Sequence, residues 1–144
     1  MPHAQLFRRI LIAAEIFGLM SLFLDIFIPD MVPADLREAR ALYFTSVQHT
    51  SMEFALELLL LAVLLIGGLI STVGMYLYKP WGRRYSLWLS LLAMLAAPFQ
   101  GPIVRAAWPN AFAEAGMLLW GATLTMAYFS DACHLFESAD QPAP

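Results

Sequence analysis

The hydrophobic positions of the chain fall into four long runs, separated by short clusters of charge and proline. Residues 49–78 are the organising stretch, reading HTSMEFALELLLLAVLLIGGLISTVGMYLY. From residue 54 to residue 78 its only charge is Glu57. Twenty-five helical residues rise about 37 Å, enough to cross a hydrocarbon core of about 30 Å with some tilt. His49, Glu53 and Glu57 stand at i, i+4 and i+8, on one helical face near its start. Lys79, Pro80, Trp81, Gly82, Arg83 and Arg84 close its end with a positive turn.

The other runs have the same build. The first, residues 6–28, starts with Arg8 and Arg9, holds Glu15 and Asp25, and stops at Pro29. It is too long and too acidic for a cleaved leader, so it reads as an uncleaved first span. The third covers residues 81–99; Pro98, Gly101 and Pro102 require a kink or unwinding at its far end. The fourth covers residues 109–130, with Pro109 suited to its first turn, Glu114 just inside, and Asp131, Cys133 and His134 after it. Between the first two runs, residues 34–46 read as an interfacial helix, Arg37 and Arg40 on its polar side and Leu36, Tyr43 and Phe44 on its apolar side. Residues 137–144 read as a disordered tail. The expected fold is an all-α integral membrane protein. It is one domain over residues 1–136, with spans at about 6–28, 53–78, 81–99 and 109–130.

Composition agrees with this pattern. The chain is 60% hydrophobic and 13% charged, where a soluble domain carries about a quarter charged residues. A net charge of −3 leaves no nucleic-acid footprint. The single cysteine, Cys133, excludes an internal disulfide and a two-cysteine redox relay. Threading four spans puts Arg8, Arg9, Lys79, Arg83 and Arg84 on one side, and Arg37, Arg40 and Arg105 on the other. The excess of cations marks the cytoplasmic side, with both termini there.

Two features carry candidate function. Gly67, Ser71 and Gly74 form a small-residue stripe, with Gly116 and Gly121 on the fourth run as possible counterparts. The stripe serves either packing within one bundle or contact with another chain. The second feature is a belt of ionisable groups in the outer leaflet: Asp25, His49, Glu53, Glu57, Arg105 and Glu114. Two readings stand, interhelical pairing of Asp25 or Glu53 with Arg105, or a polar pocket for protons or cations. Glu15 lies deeper. It reads either as an acid hydrogen-bonded to Ser71, Thr72 or a carbonyl, or as a proton-carrying site. Lys79, Trp81, Arg83 and Arg84 read as a membrane-interface turn. No catalytic constellation, cofactor or metal is expected: the His spacing suits neither haem nor a di-metal bundle.

The segments GMYLYKPWGRR at residues 74–84, GPIV at 101–104 and AYFS at 127–130 resemble a class of small, uncharacterised four-span bacterial inner-membrane proteins with a Lys-Pro-Trp-Gly-Arg turn. The resemblance covers the second half of the chain and implies a bacterial cytoplasmic membrane and a four-helix fold, with no implied activity. The leading functional expectation is a non-enzymatic accessory subunit of a larger membrane complex, or a homo-oligomer. Its partners would be the lipid bilayer and a protein partner or second copy, with no nucleic acid. The alternative is a small proton- or cation-coupled transporter or channel using outer-leaflet carboxylates. A third reading is a membrane enzyme acting on a lipophilic substrate.

Overall fold

Proline and a left-handed residue set the central reversal of the chain. Pro80 opens a helix with Lys79 as its N-cap, where the missing N–H would have had no helical partner. Just before it, Tyr78 adopts φ 53°, a conformation that usually selects glycine. Tyr78 N–H donates to the Met75 carbonyl at 3.1 Å and Lys79 N–H to the Gly74 carbonyl at 2.9 Å. This pair of bonds is a Schellman cap, so the carbonyls at the end of the incoming helix are satisfied.

A computed structural model of the chain describes residues 2–28, 32–46, 51–100 and 105–137. These are helical throughout, without strands: α1 (Pro2–Phe27), α2 (Ala34–Ser46), α3 (Ser51–Tyr76), α4 (Pro80–Ala96), α5 (Ala107–Phe129) and α6 (Cys133–Glu137). A 3-10 turn, Ala97–Gln100, continues α4 at the point where Pro98 ends regular α-helix. The first run thus begins earlier than its hydrophobicity alone indicates, and the end of the chain carries a short extra helix, α6. His49, residues 101–104 and residues 138–144 lie outside the described residues.

The long helices form two antiparallel pairs. In the first, α3 meets α4 through small residues. A methyl group on Gly74 would stand 2.8 Å from Gly82 Cα, so the backbones touch. One turn along, the hydroxyls of Ser71 and Ser86 bond to each other. Ser86 gives its proton to the Gly82 carbonyl at 2.7 Å, so Ser71 is the donor between them. Farther on, Gly67 leaves room for Tyr85 and Leu89. The predicted stripe of Gly67, Ser71 and Gly74 is thus covered by α4.

The second pair joins α1 to α5, far apart in sequence. Gly116 lies against the backbone of Ala14 and Gly18. Phe17 and Phe112 pack at 5.6 Å between ring centroids. The buried Ser21 hydroxyl donates to the Pro109 carbonyl at 2.7 Å across 88 residues of sequence. Gly121 is exposed and meets nothing within 4 Å, so it takes no part in this contact.

The pairs are fastened together at the end that carries the α1 N-terminus and α6. Phe7, Leu11, Met75, Ala127, Ala132 and Phe136 are buried there as the core. Phe7, Tyr78 and Phe136 form a triangle of rings with centroids 5.5 to 5.6 Å apart. The Tyr78 hydroxyl donates to the Ala4 carbonyl at 2.8 Å. The Arg8 guanidinium lies 4.7 Å from the Tyr76 ring centroid and 4.8 Å from that of Tyr78. Toward the opposite end α1 and α3 contact each other little.

Among the described residues two helices are long and apolar enough to cross a membrane, over His3–Phe27 and Leu58–Tyr76. Only 17% and 22% of those windows is buried within the chain, unlike the core helices of a soluble domain. α4 has 17 residues and rises about 25 Å, so it is the shortest of the four long helices.

The contacts of the glycines separate two substitutions. Gly82→Ala would place a methyl group 2.5 Å from the Gly74 carbonyl carbon and force α3 and α4 apart. A loss of about 1–3 kcal/mol is expected, typical of overpacking. Gly121→Ala meets open space and should be neutral or stabilising by up to about 1 kcal/mol through helix propensity. Thermal melting of the two purified variants in detergent measures the contrast. Equal melting temperatures would remove the close approach of α3 and α4.

Candidate functional site

Glu15 stands on α1 just beyond the aromatic core, where a side-chain hydrogen bond joins α1 to α3. It follows the buried Leu11 by one turn of α1 and is itself half-buried. Thr72 on α3 donates its hydroxyl to Glu15 Oε1 at 2.5 Å. The same hydroxyl lies 3.0 Å from the Gly68 carbonyl in its own helix. A threonine hydroxyl has one proton, so it serves one of these acceptors at a time. Among the described residues no cation pairs with Glu15.

Glu15 lines two open grooves. One, of about 450 Å³, lies between α1 and α5 and runs from Glu15 past Gly18, Ser21 and Met117 to Asp25 and Arg105. The other, of about 330 Å³, lies between α1 and α3 and has apolar walls that include Leu11, Ile16, Val73 and Tyr76. Both fall within the range of about 300–1,000 Å³ common for small-molecule sites. Trp120 borders the larger cavity, and its indole N–H donates to Ser90 Oγ at 2.9 Å, which fixes the ring against α4.

Asp25 stands ten residues beyond Glu15 on α1, a rise of about 15 Å. Arg105 Nε approaches Asp25 Oδ2 at 3.5 Å, and both side chains are about a third exposed. The cleft therefore has a compensated ion pair at one end and an uncompensated acid at the other. Glu114, predicted for the same belt, instead accepts from Asn110 Nδ2 at 2.7 Å on the exposed side of α5. Glu53 and Glu57 lie on the first turns of α3; their side chains, like His49, are outside the described part of the chain.

At the opposite end the predicted interface turn divides. Lys79 and Arg84 are exposed. Trp81 lays its indole over Gly74. Arg83 turns inward, 5.5 Å from the Tyr128 ring centroid and 5.9 Å from that of Phe136, with Glu137 at 4.0 Å. Cys133 is half-buried.

Sequence reasoning missed Trp120, Ser90 and Ser21. For the serines a signal existed: Gly82, Ser86 and Ser90 repeat at i, i+4 and i+8, the small face that complements the stripe on α3. For Trp120 there was none, because its position is set by the fold of α5 onto α4.

The two polar contacts of the cleft should differ in strength. A double-mutant cycle on Asp25→Ala and Arg105→Ala should return a coupling below about 1 kcal/mol, as expected for a partly exposed pair. The cycle on Glu15→Ala and Thr72→Val should return at least as much, about 0.5–1.5 kcal/mol. Thermal unfolding in detergent gives both values, and no coupling between Glu15 and Thr72 would dissolve the site at its inner end. No protein-family model, curated protein or solved structure matches the chain.

Proposed function

We propose that the chain is a four-span integral membrane protein that exchanges protons for cations along the cleft between α1 and α5. α1, α3, α4 and α5 are the spans, α2 lies at the membrane surface, and both termini are cytoplasmic. Several features support the membrane reading. α1 and α3 are apolar and mainly uncovered, and the exposed residues include Phe129, Leu118, Met94 and Trp88. A soluble monomer rarely exposes so much contiguous apolar surface, whereas a bilayer covers it. Lys79 and Arg84 mark the cytoplasmic side.

The observation that carries the exchange reading is the position of Glu15. An acid within an apolar span is costly unless it pairs, and such acids commonly mark proton or ion pathways. Glu15 has no cation partner among the described residues, and it lines an open groove that also reaches Asp25 and Arg105. The core of Phe7, Leu11, Met75 and Phe136 seals the path below it. In this reading the cleft is the outward-open half of an alternating cycle, and opening to the cytoplasm requires the aromatic seal to part.

The reading as an accessory subunit or homo-oligomer keeps one support, the open face around Gly121 on α5. The other small residues, Gly67, Ser71, Gly74 and Gly116, are already covered within one chain.

Proteoliposomes with an imposed pH gradient and a trapped pH indicator test exchange. External Na⁺, K⁺ or tetraphenylphosphonium should collapse the gradient several-fold faster with the wild-type protein than with Glu15→Gln. Equal rates for wild type and Glu15→Gln with each of the three cations would count decisively against proton–cation exchange. The topology has a separate test in the lone thiol. A membrane-impermeant maleimide should label Cys133 in inside-out vesicles and spare it in right-side-out vesicles; the reverse pattern would invert the protein.

A further inference from the structure

We infer that the cation taken up at Glu15 is a lipophilic organic cation, with a single positive charge on an apolar body, and that it competes with a proton for the same carboxylate. This rests on the exchange reading and narrows it to a substrate class.

The chemistry of the walls selects among cations. A hard metal ion needs several oxygen donors around it, six or more for calcium. Among the described residues no three His, Cys, Asp or Glu side chains come together for that purpose. Glu15 supplies one carboxylate and Thr72 one hydroxyl, and the surfaces beyond them are apolar. An organic cation has the converse requirement: one counter-charge, and burial for the rest of its surface. Leu22, Met117 and Trp120 line an apolar groove wall on the α5 side, and Ile12, Leu19 and Tyr76 one on the α3 side, against which such a body can lie. The Trp120 ring, held by Ser90, adds an aromatic face for the positive charge.

Thr72 lets the acid work in both protonation states. With Glu15 ionised, the Thr72 hydroxyl donates to the carboxylate. With Glu15 protonated, the carboxyl donates to Thr72, and Thr72 turns its own proton to the Gly68 carbonyl. Only hydrogens move. A proton can therefore leave as a cation arrives without a buried polar atom losing its partner. The other charged or titratable groups that line the two cavities are Asp25 and Arg105, which pair with each other, and Tyr76, whose ring takes the Arg8 guanidinium. Competition with the proton thus falls to Glu15.

Equilibrium dialysis of tetraphenylphosphonium against the full-length protein in detergent tests the inference. Wild type should bind it, with affinity falling as the pH is lowered through the range in which carboxylates take up protons. Glu15→Gln should lose at least about tenfold in affinity above that range and show no pH dependence. Glu15→Asp should retain the dependence. Asp131→Asn is the control, because Asp131 lies near His3 at the other end of the bundle. Affinity that is flat with pH, or unchanged in Glu15→Gln, would overturn the inference. If Glu15→Gln fails to fold, the pH series on the wild type decides alone. Gradient collapse driven by Na⁺ or K⁺ in vesicles, without tetraphenylphosphonium binding, would overturn the organic-cation class and leave proton–cation exchange standing. Absence of both would remove both.

Discussion

Gly74 and Gly82 bring the backbones of α3 and α4 into direct contact beside the turn that joins them, and the remaining packing follows from that approach. With no side chain between them, the helices stay close enough for Ser71 to reach Ser86 and for Gly67 to accept Tyr85 and Leu89. The approach also dictates how sharply the chain reverses. Three residues separate the end of α3 from the start of α4, and one of them, Tyr78, is held in a left-handed conformation at a cost of about 1–2 kcal/mol. The offset lies in its side chain. Its ring packs on Phe7 and Phe136 and under Arg8, and its hydroxyl reaches Ala4. Glycine would relax the backbone there and surrender every one of those contacts.

Much of the helical layout was legible because apolar runs and prolines are local signals. The 3-10 turn falls at Pro98, and α4 starts at Pro80, where a proline ring favours those conformations. The stripe of Gly67, Ser71 and Gly74 was legible as a contact face from its spacing alone. The counterparts expected for it, Gly116 and Gly121, do not cover it: Gly116 packs on Ala14 and Gly18 of α1, Gly121 meets open space, and the face of α4 with Gly82 and Ser86 lies on the stripe instead. The pairing of α1 with α5 was out of reach. Ser21 and Pro109, or Gly18 and Gly116, have no feature that ties them together along the chain; only the assembled bundle does. For the site, the ionisable residues were visible and their pairing was not. Asp25 was one candidate for Arg105, and their pairing depends on where α1 ends relative to the start of α5. Glu15 was legible as an isolated acid, but the grooves beside it depend on how α1 packs against α5 and α3, which no residue spacing encodes.

The bundle is therefore asymmetric along its length. One end is closed by rings and a tyrosine hydroxyl; toward the other, the described residues join α1 to the α5 side through the Ser21–Pro109 bond and the partly exposed Asp25–Arg105 pair. Glu15 lies between them, bonded to Thr72 on α3 and lining the groove that runs along α1 to the ion pair.

The marriage of α1 to α5 also orders the events of biosynthesis. A chain made from its N-terminus delivers α1 first and α5 almost last, with 88 residues between the Ser21 hydroxyl and the carbonyl it will bond. α3 and α4 can fold on each other as soon as their short turn has emerged, since their contacts are local. Throughout that interval α1 has only a weak seam with α3, and Gly18, Ser21 and the acids remain without their final neighbours. Assembly is complete only when α5 arrives and closes the ring, so the last long helix made is the one that shelters the first.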